Sequence, residues 1–470
     1  MLGLTGLILP VVAVPAAEGM DPFGTGRYMS PAPHLKWESS LPLPEVKAAP
    51  SARLPDSARP LSLPELTEFA LQNNPKTRQA WYAARAAAAN VGIEQADLLP
   101  QLTANFNRTR LQNVSSNTGA LGPAQTRYGP SFALSYVLFD FGARADQVEA
   151  AEYRLLAANL AQNRVLQDVI FQVEHAYYQL LGIDALVKTN EMSLKNNQTA
   201  LEAAQKRRES GLATVADVYR AETAVAQAQL NLTRGRGDLQ KAKGQLASAV
   251  GLPVNQFLQV QVLSAPPRAH EIVQSIDGFL QRAKSTRPDL VAAEAQARAA
   301  RAAANATAKA GLPSIEFTGN TARTLFDNRP GANTFNLTFN LRIPLFSGFR
   351  DTYQIRQAEA QAQQAEAARD ALYKQTELDV WQAYFDLQTA VSGIASTEAQ
   401  VRSAEQTAQA TLARYQAGFG SILDLITAQQ DESSARVQRI QSYLDWFTAL
   451  ARLNFSMGAS DILALASDKK

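Results

Sequence analysis

Over most of the chain, apolar and polar positions recur at helical spacing, but one stretch follows a different period. In TFNLTFNLRI (334–343), Phe335, Leu337, Phe339, Leu341 and Ile343 alternate without a miss with Thr334, Asn336, Thr338, Asn340 and Arg342. Strict period two makes a strand with one apolar and one polar face. Segments of similar Phe, Leu, Thr and Asn content predict strands at about 101–109, 128–138, 315–324 and 334–345. Two proline-free stretches, 142–210 and 349–417, predict helices each roughly 100 Å long at 1.5 Å per residue. Shorter helices are predicted at about 64–98 and 213–249. At roughly 50 and 55 Å, these two stacked end to end match one long helix. The helices are crowded with alanine, as in AARAAAAN (83–90) and AEAQAQQAEAARDAL (358–372). Small side chains on more than one face suit the wall of a cylinder. A free-standing coiled coil is the alternative, but heptads of large a/d residues are not sustained.

The elements are written twice. NNPKTRQAWYAARAAAANVGIEQADLLPQL (73–102) matches TRPDLVAAEAQARAARAAANATAKAGLPSI (286–315) at an offset of 213, with Pro75 over Pro288 and Pro100 over Pro313. From Phe139 over Phe346 the offset is 207, carried through Arg207 and Arg414, Gly211 and Gly418, Asp217 and Asp424, and Gly251 and Gly458. The six-residue change lies where LQNVSSNTGALGPAQTR is longer than LFDNRPGAN. The organisation expected is a signal peptide at 1–19, a Pro-rich extended segment at 20–63, a first repeat at 64–252, a linker at 253–276, a second repeat at 277–458 and a C-terminal tail at 459–470. The apolar run MLGLTGLILPVVAVPAA ends in small residues, as an export signal does, yet no Lys or Arg precedes Arg27. A start upstream of Met1, or a buried N-terminal strand, accounts for that; export is the reading taken.

Composition narrows the chemistry. A net charge of +2 over 470 residues gives no electrostatic case for nucleic acid. The absence of cysteine excludes disulfides, thiolate metal sites and cysteine nucleophiles. His34, His175 and His270 are far apart with no ligand spacing, and no nucleophile elbow or phosphate loop appears. No enzyme, cofactor or metal site is therefore expected, and His175, beside Tyr177 and Tyr178, reads as a packing residue. Gly235, Gly237 and Gly244 fall inside a predicted helix, where close helix contact or a bend would explain them. No stretch reaches the roughly 18 uncharged apolar residues of a membrane helix. If this chain crosses a membrane, it does so with strands. Four strands are too few to close a barrel, and open edges do not sit in lipid. They close with other chains, or they form a soluble sheet whose core partner must be found among helices about 100 Å long.

These features converge in several short motifs. NNP (73–75) and RPD (287–289), LLPQL and GLPSI, LFDFG and LFSGF, and RRESGLATVADV and RYQAGFGSILDL occur in the same order in both halves. With the duplicated architecture they resemble the TolC family of trimeric outer-membrane efflux and secretion channels, over roughly 62–458. The resemblance implies an α+β membrane protein. It would be a homotrimer whose four strands per chain make a twelve-stranded transmembrane β-barrel, continued by an α-helical coiled-coil barrel. It also implies the outer membrane of a Gram-negative bacterium with a large periplasmic portion, a periplasmic membrane-fusion adaptor and an inner-membrane RND or ABC transporter. The channel would conduct passively, in multidrug efflux or type I secretion, and the sequence does not separate the two.

In that family the two helix turns form the periplasmic tip. Carried over by position, Ser210, Gly211, Leu212, Ala213 and Thr214, with Ala417, Gly418, Phe419, Gly420 and Ser421, match the adaptor-contact turns. Asp424 matches a constricting aspartate, Tyr415 a gate tyrosine and Asp217 its partner. Arg207, Arg208 and Arg414, at the ends of the long helices, complete the set and stand where they could pair with the aspartates. Gly420 departs from the arginine of some members and Thr427 from a second acidic ring. A purely local reading stands beside the gate: both aspartates lie in the first turn of a helix and favour its dipole. Phe335, Leu337, Phe339, Leu341 and Ile343 are expected to face lipid, and Asn336, Thr338, Asn340 and Arg342 a wet lumen. The other functional class left open is a non-transporting, envelope-spanning structural coiled coil with a soluble strand cap.

Overall fold

The structure is a computed structural model. It describes residues 59–458 except 113–118, 120, 257, 262–274 and 328, together with Ser30, His34 and Lys36. The N-terminal apolar run, most of the Pro-rich segment, His270, most of the linker and the C-terminal tail lie outside the described residues. The elements are α1 (Leu63–Asn73), α2 (Pro75–Ala96), β1 (Gln101–Leu111), β2 (Gln125–Phe139), α3 (Ala143–Glu209), α4 (Val215–Val250), α5 (Ile276–Thr286), α6 (Pro288–Ala310), β3 (Ser314–Phe326), β4 (Ala332–Arg342), α7 (Arg350–Gln416) and α8 (Ile422–Ser456).

Helices α3 and α7 each run for 67 residues, roughly 100 Å. The single helix expected over 64–98 is instead two, broken at Asn74. Pro75 has no N–H for the ladder of α1 and pushes the preceding residue out of helical geometry, so Asn74 sits at φ −68°, ψ 128°. The asparagine then serves both ends. Its backbone N–H donates to Ala70 O, and its side-chain oxygen accepts from the Lys76 N–H at 2.9 Å. Arg287 before Pro288 makes the same break between α5 and α6.

The four strands form one antiparallel sheet in the order β1-β2-β3-β4. Cross-strand partners point to the same side, so the register assigns the faces. One face carries the rows Leu102–Leu134–Gly319–Leu337, Ala104–Phe132–Thr321–Phe335 and Tyr136–Phe317–Phe339. The opposite face carries Gln101–Ser135–Thr318–Thr338 and Thr103–Ala133–Asn320–Asn336, with the Ser135 hydroxyl donating to Glu316 at 2.8 Å. Among the described residues nothing covers the apolar face: Phe335 and Phe339 are 73% and 71% exposed. Strand β4 stops earlier than the 345 expected. Pro344 cannot donate to a ladder, so Ile343 lies one residue beyond the strand, although it is as exposed as its neighbours. The β1–β2 connection, 112–124, is longer than the β3–β4 connection, 327–331.

Beneath the sheet α3 is the spine, packed against α2, α4, α6 and α8, while α7 packs on α6 and α8. One apolar cluster gathers Leu66, Val169, Val173, Tyr177, Leu246 and Val250; another gathers Phe279, Val380, Leu387, Trp446 and Leu453. Buried alanines line much of the remaining contact, as at Ala292, Ala295, Ala299 and Ala302 of α6. At Gly182 the helices approach so closely that a Cβ would lie 2.3 Å from a terminal methyl of Leu444. Gly235 likewise sits against Asn190 and Val187 of α3, whereas nothing lies near Gly237.

A buried ion network locks the end of α8. Arg287, 2% exposed, donates to Asp289, to Asp379 of α7 at 3.0 Å and to Ser456 O at 3.4 Å. Gln167 of α3 donates to Gly458 O at 2.7 Å. In the first repeat the smaller Asn74 does the corresponding job, donating to Ala249 O at the end of α4 at 3.0 Å.

Glu174 of α3 is 5% exposed beside Tyr177 and Tyr178, and burial pushes its acid up to about 8. Above the unfolded value of about 4.3, the unfolded chain releases this proton while the folded chain keeps it. Stability therefore falls as pH rises from that value to about 8 and levels off beyond. Glu174→Gln should flatten this slope. In urea titrations the variant should gain stability over the parent at pH 8 and little at pH 5; an equal difference at both values would exclude a buried neutral acid.

Candidate functional site

The end of the helical body away from the sheet is built from two turns, α3–α4 and α7–α8. Each closes its long helix in the same way. Gly211 and Gly418 adopt φ +73° and +91°, the left-handed conformation that lets the chain reverse at a helix end. Leu212 N–H donates to Arg207 O at 2.8 Å, and Phe419 N–H donates to Arg414 O at 2.9 Å. This leaves Leu212 and Phe419, 68% and 81% exposed, as the apolar tips of the turns. Ala213 and Gly420 follow them, and a Cβ on Gly420 would come within 3.2 Å of the Tyr415 nitrogen.

The next helices start on paired caps. Thr214 Oγ1 accepts from the Asp217 N–H at 3.3 Å, while Asp217 Oδ2 accepts from the Thr214 N–H and hydroxyl, both at 2.9 Å. Ser421 and Asp424 repeat the arrangement at 3.1 and 3.4 Å. Both aspartates are thus the third residue of a capping box. The Thr214 backbone and hydroxyl donors hold the Asp217 acid below the usual carboxylate range, with Arg220 and Arg207 adding to the effect.

The arginines do not go to these aspartates. Arg207 Nη1 donates to Tyr415 O at 2.6 Å and Nη2 to Leu212 O at 3.4 Å, with its guanidinium 4.7 Å from the centre of the Tyr415 ring. The ends of α3 and α7 offer carbonyls with no helical partner, whereas the Asp217 carboxylate is already engaged by its own cap. The ion-pair partner of Asp217 is Arg220 at 3.8 Å, a residue the sequence reading did not single out. Arg208 and Arg414 are exposed and form no ion pair with either aspartate among the described residues. Tyr415 is 2% exposed, packed with Ala200, Ala204, Val218, Ala221, Ile422 and Leu425, so one ring joins α3, α4, α7 and α8. Burial pushes its phenol up, and its hydroxyl has no hydrogen-bond partner among the described residues. It is not bonded to Asp217, as a direct gate pair would require.

Fixed carboxylates and exposed apolar tips can bind a partner or set a local charge. Among the described residues no cluster of His, Cys, Asp or Glu is placed to hold a metal ion, and no helix is long and apolar enough to cross a membrane. The caps themselves are testable. Thr214→Ala should cost about 1 kcal/mol and speed amide exchange at 215–218, with Ser421→Ala doing the same at 422–425. Unchanged exchange would show that the caps do not hold the turns.

Known proteins place this architecture. Residues 66–252 and 279–459 match the family described as Outer membrane efflux protein. Protein CyaE of Bordetella pertussis is 29% identical over 409 residues, covering 84% of this chain and 85% of that one. Outer membrane efflux protein BepC of Brucella suis is 26% identical over 386 residues, 80% of each. The crystal structure of the CmeC outer membrane channel of Campylobacter jejuni superposes with a TM-score of 0.77 over 92% of this chain and 97% of its own, at 16% identity, and so shares the fold. The family match spans both halves of the duplicated scaffold, each from its first helix through its strands to its last: the chain belongs to the outer membrane efflux protein family.

Proposed function

We propose that the chain is the exit duct of a tripartite export machine, one of three copies that together close a channel through the outer membrane. The observation that carries this is the sheet. Among the described residues it has one apolar face that nothing covers, one polar face, and two edges, β1 and β4, with no strand partner. In hydrocarbon every backbone group must be paired, so β4 of one copy pairs with β1 of the next. Four strands in each of three copies give a twelve-stranded barrel, apolar side outward. Below it, α7 of each copy meets α2 and α4 of its neighbour and the helices close a periplasmic tunnel. A soluble structural coiled coil would leave the exposed row of Phe335, Leu337, Phe339 and Leu341 without a purpose.

The two turns are then the periplasmic tip. Leu212 and Phe419, with Gly211, Ala213, Thr214, Gly418, Gly420 and Ser421, form the surface offered to a membrane-fusion adaptor, which couples the duct to an inner-membrane RND or ABC transporter. Three copies of Asp424 around the axis narrow the entrance and favour cations. Tyr415, clamped by Arg207, holds α7 against α3 in the closed arrangement. The duct performs no chemistry, and cargo is chosen by the pump.

Planar-bilayer recordings on the purified full chain test this reading. The parent should conduct as a detergent-extracted trimer with a preference for cations, and Asp424→Asn should reduce that preference. A water-soluble protein without conductance would overturn the proposal. In the barrel, Leu337→Arg should cost about 2–4 kcal/mol near the bilayer midplane and block assembly. Thr338→Arg, on the polar face, should leave the trimer intact and change its conductance.

A further inference from the structure

The outward face of the sheet changes chemistry along its length. From the helix end upward its rows are Ile315–Leu341, Tyr136–Phe317–Phe339, Leu102–Leu134–Gly319–Leu337 and Ala104–Phe132–Thr321–Phe335. The next row toward the connecting loops mixes Phe106–Pro130 with Arg323–Asn333; beyond it come Arg108, opposite Tyr128 and level with Leu325, then Arg110, opposite Thr126. All three arginines are exposed, and none forms an ion pair among the described residues. The outward positions of the four strands include no Asp or Glu, since Glu316 lies on the other face.

Rows two residues apart are separated by about 6.8 Å along a strand, so the four apolar rows cover about 20 Å, rather more with the flanking side chains. That is close to the roughly 25 Å apolar band of a transmembrane barrel. The arginines begin in the row where the band gives way, Arg323 level with Phe106, and continue beyond it. At the bilayer midplane an arginine on this face would be expelled, whereas at the boundary it is tolerated, and Tyr128 beside Arg108 is the amphipathic aromatic expected at that level. The loop end is the end away from the helical body, so this boundary is the outer leaflet. Every charge on the outward face is a guanidinium, the group whose planar fork grips two phosphate oxygens at once. A surface continuous with the lipid face, uniformly cationic and without an ion pair among the described residues, matches anionic headgroups.

We propose that Arg108, Arg110 and Arg323 form a headgroup rim that binds the phosphates of outer-leaflet lipids, three arginines from each copy around the barrel. The inference rests on the barrel reading above. Phosphates bridged between neighbouring guanidinium groups would fix the height of the duct in the membrane.

The test uses the purified full chain in detergent with bisphosphorylated lipid A as the probe, retention read by native mass spectrometry and conductance recorded on the same preparations. The triple variant Arg108→Gln, Arg110→Gln, Arg323→Gln should lose at least ten-fold in lipid A retention while conducting as the parent does. Arg127→Gln with Arg342→Gln, on the polar face, should retain lipid A normally. Should the triple variant not assemble, Arg110→Gln and Arg323→Gln singly should each lower retention about three-fold, and triple lysine should restore part of it. The proposal is overturned if the triple variant keeps parental retention or if dephosphorylated lipid A binds equally well. Displacement by millimolar inorganic phosphate as effective as by lipid A would also overturn it. A parent that does not conduct sinks the duct reading instead, so the two failures are distinct.

Discussion

A strand edge cannot be left open in a bilayer, and the rest of this molecule follows from that. The sheet ends in β1 on one side and β4 on the other, and each presents a row of backbone groups that hydrocarbon would leave unpaired. The chain cannot close the barrel alone, because the register of β1–β2, β2–β3 and β3–β4 spreads the four strands as an open arc. On the proposed duct, copies close on one another, and the helices hanging from each strand end close with them. A wall only one helix thick has two packing sides and no thick core. Alanine at Ala292, Ala295, Ala299 and Ala302, and glycine at Gly182 against Leu444, let neighbouring helices come together there.

The repeat supplies the same scaffold twice but not the same chemistry. Where α2 begins, Asn74 ties the end of α4 with one hydrogen bond to Ala249 O. Where α6 begins, Arg287 spreads over Asp289, Asp379 and Ser456 O. The strand-to-helix joints differ too. Arg144 anchors the first, bonding Asp140, Asp97 O and Val137 O, while the second relies on the Ser347 hydroxyl donating to Asp351. Duplication fixed the path of the chain, and each copy then found its own way to satisfy the groups exposed at each break. The first copy also carries the longer connection between its two strands, 112–124.

What was legible in the amino-acid order is what repeats locally. Period-two alternation exposed the apolar row of β4, offsets of 213 and 207 exposed the duplication, and glycines at 211 and 418 marked the reversals. Three things were not legible. The break at Asn74 was passed over because the helical pattern resumes at once after Pro75, which suits the first position of a new helix, although a proline ends a helix at the residue before it. Glu174 looked like any polar residue of an alanine-rich helix, since burial on a wall with several contacting faces leaves no simple stripe. The pairing of Arg207 with Tyr415 O, across 208 residues, depends on two turns meeting in space, which no spacing rule encodes. Nearest-in-sequence carboxylates were the natural guess for these arginines, but the caps had already used them.

That last point joins two readings of the tip aspartates that first looked like rivals. A capping aspartate is held by donors from its own turn, and those donors favour the ionised form; for Asp217 the Thr214 backbone and hydroxyl keep the acid below its usual range. The same bonds fix where the charge points. Because Oδ2 of Asp217 takes both Thr214 donors, its second oxygen is left to the outside, where Arg220 stands at 3.8 Å. Asp424 is bound to Ser421 alone in the corresponding box and is exposed. A ring of charge at the mouth of a duct needs carboxylates that are ionised, rigid and identically placed in every copy. On the proposed gate, the capping box at the start of α8 supplies the fixed placement without calling on another residue.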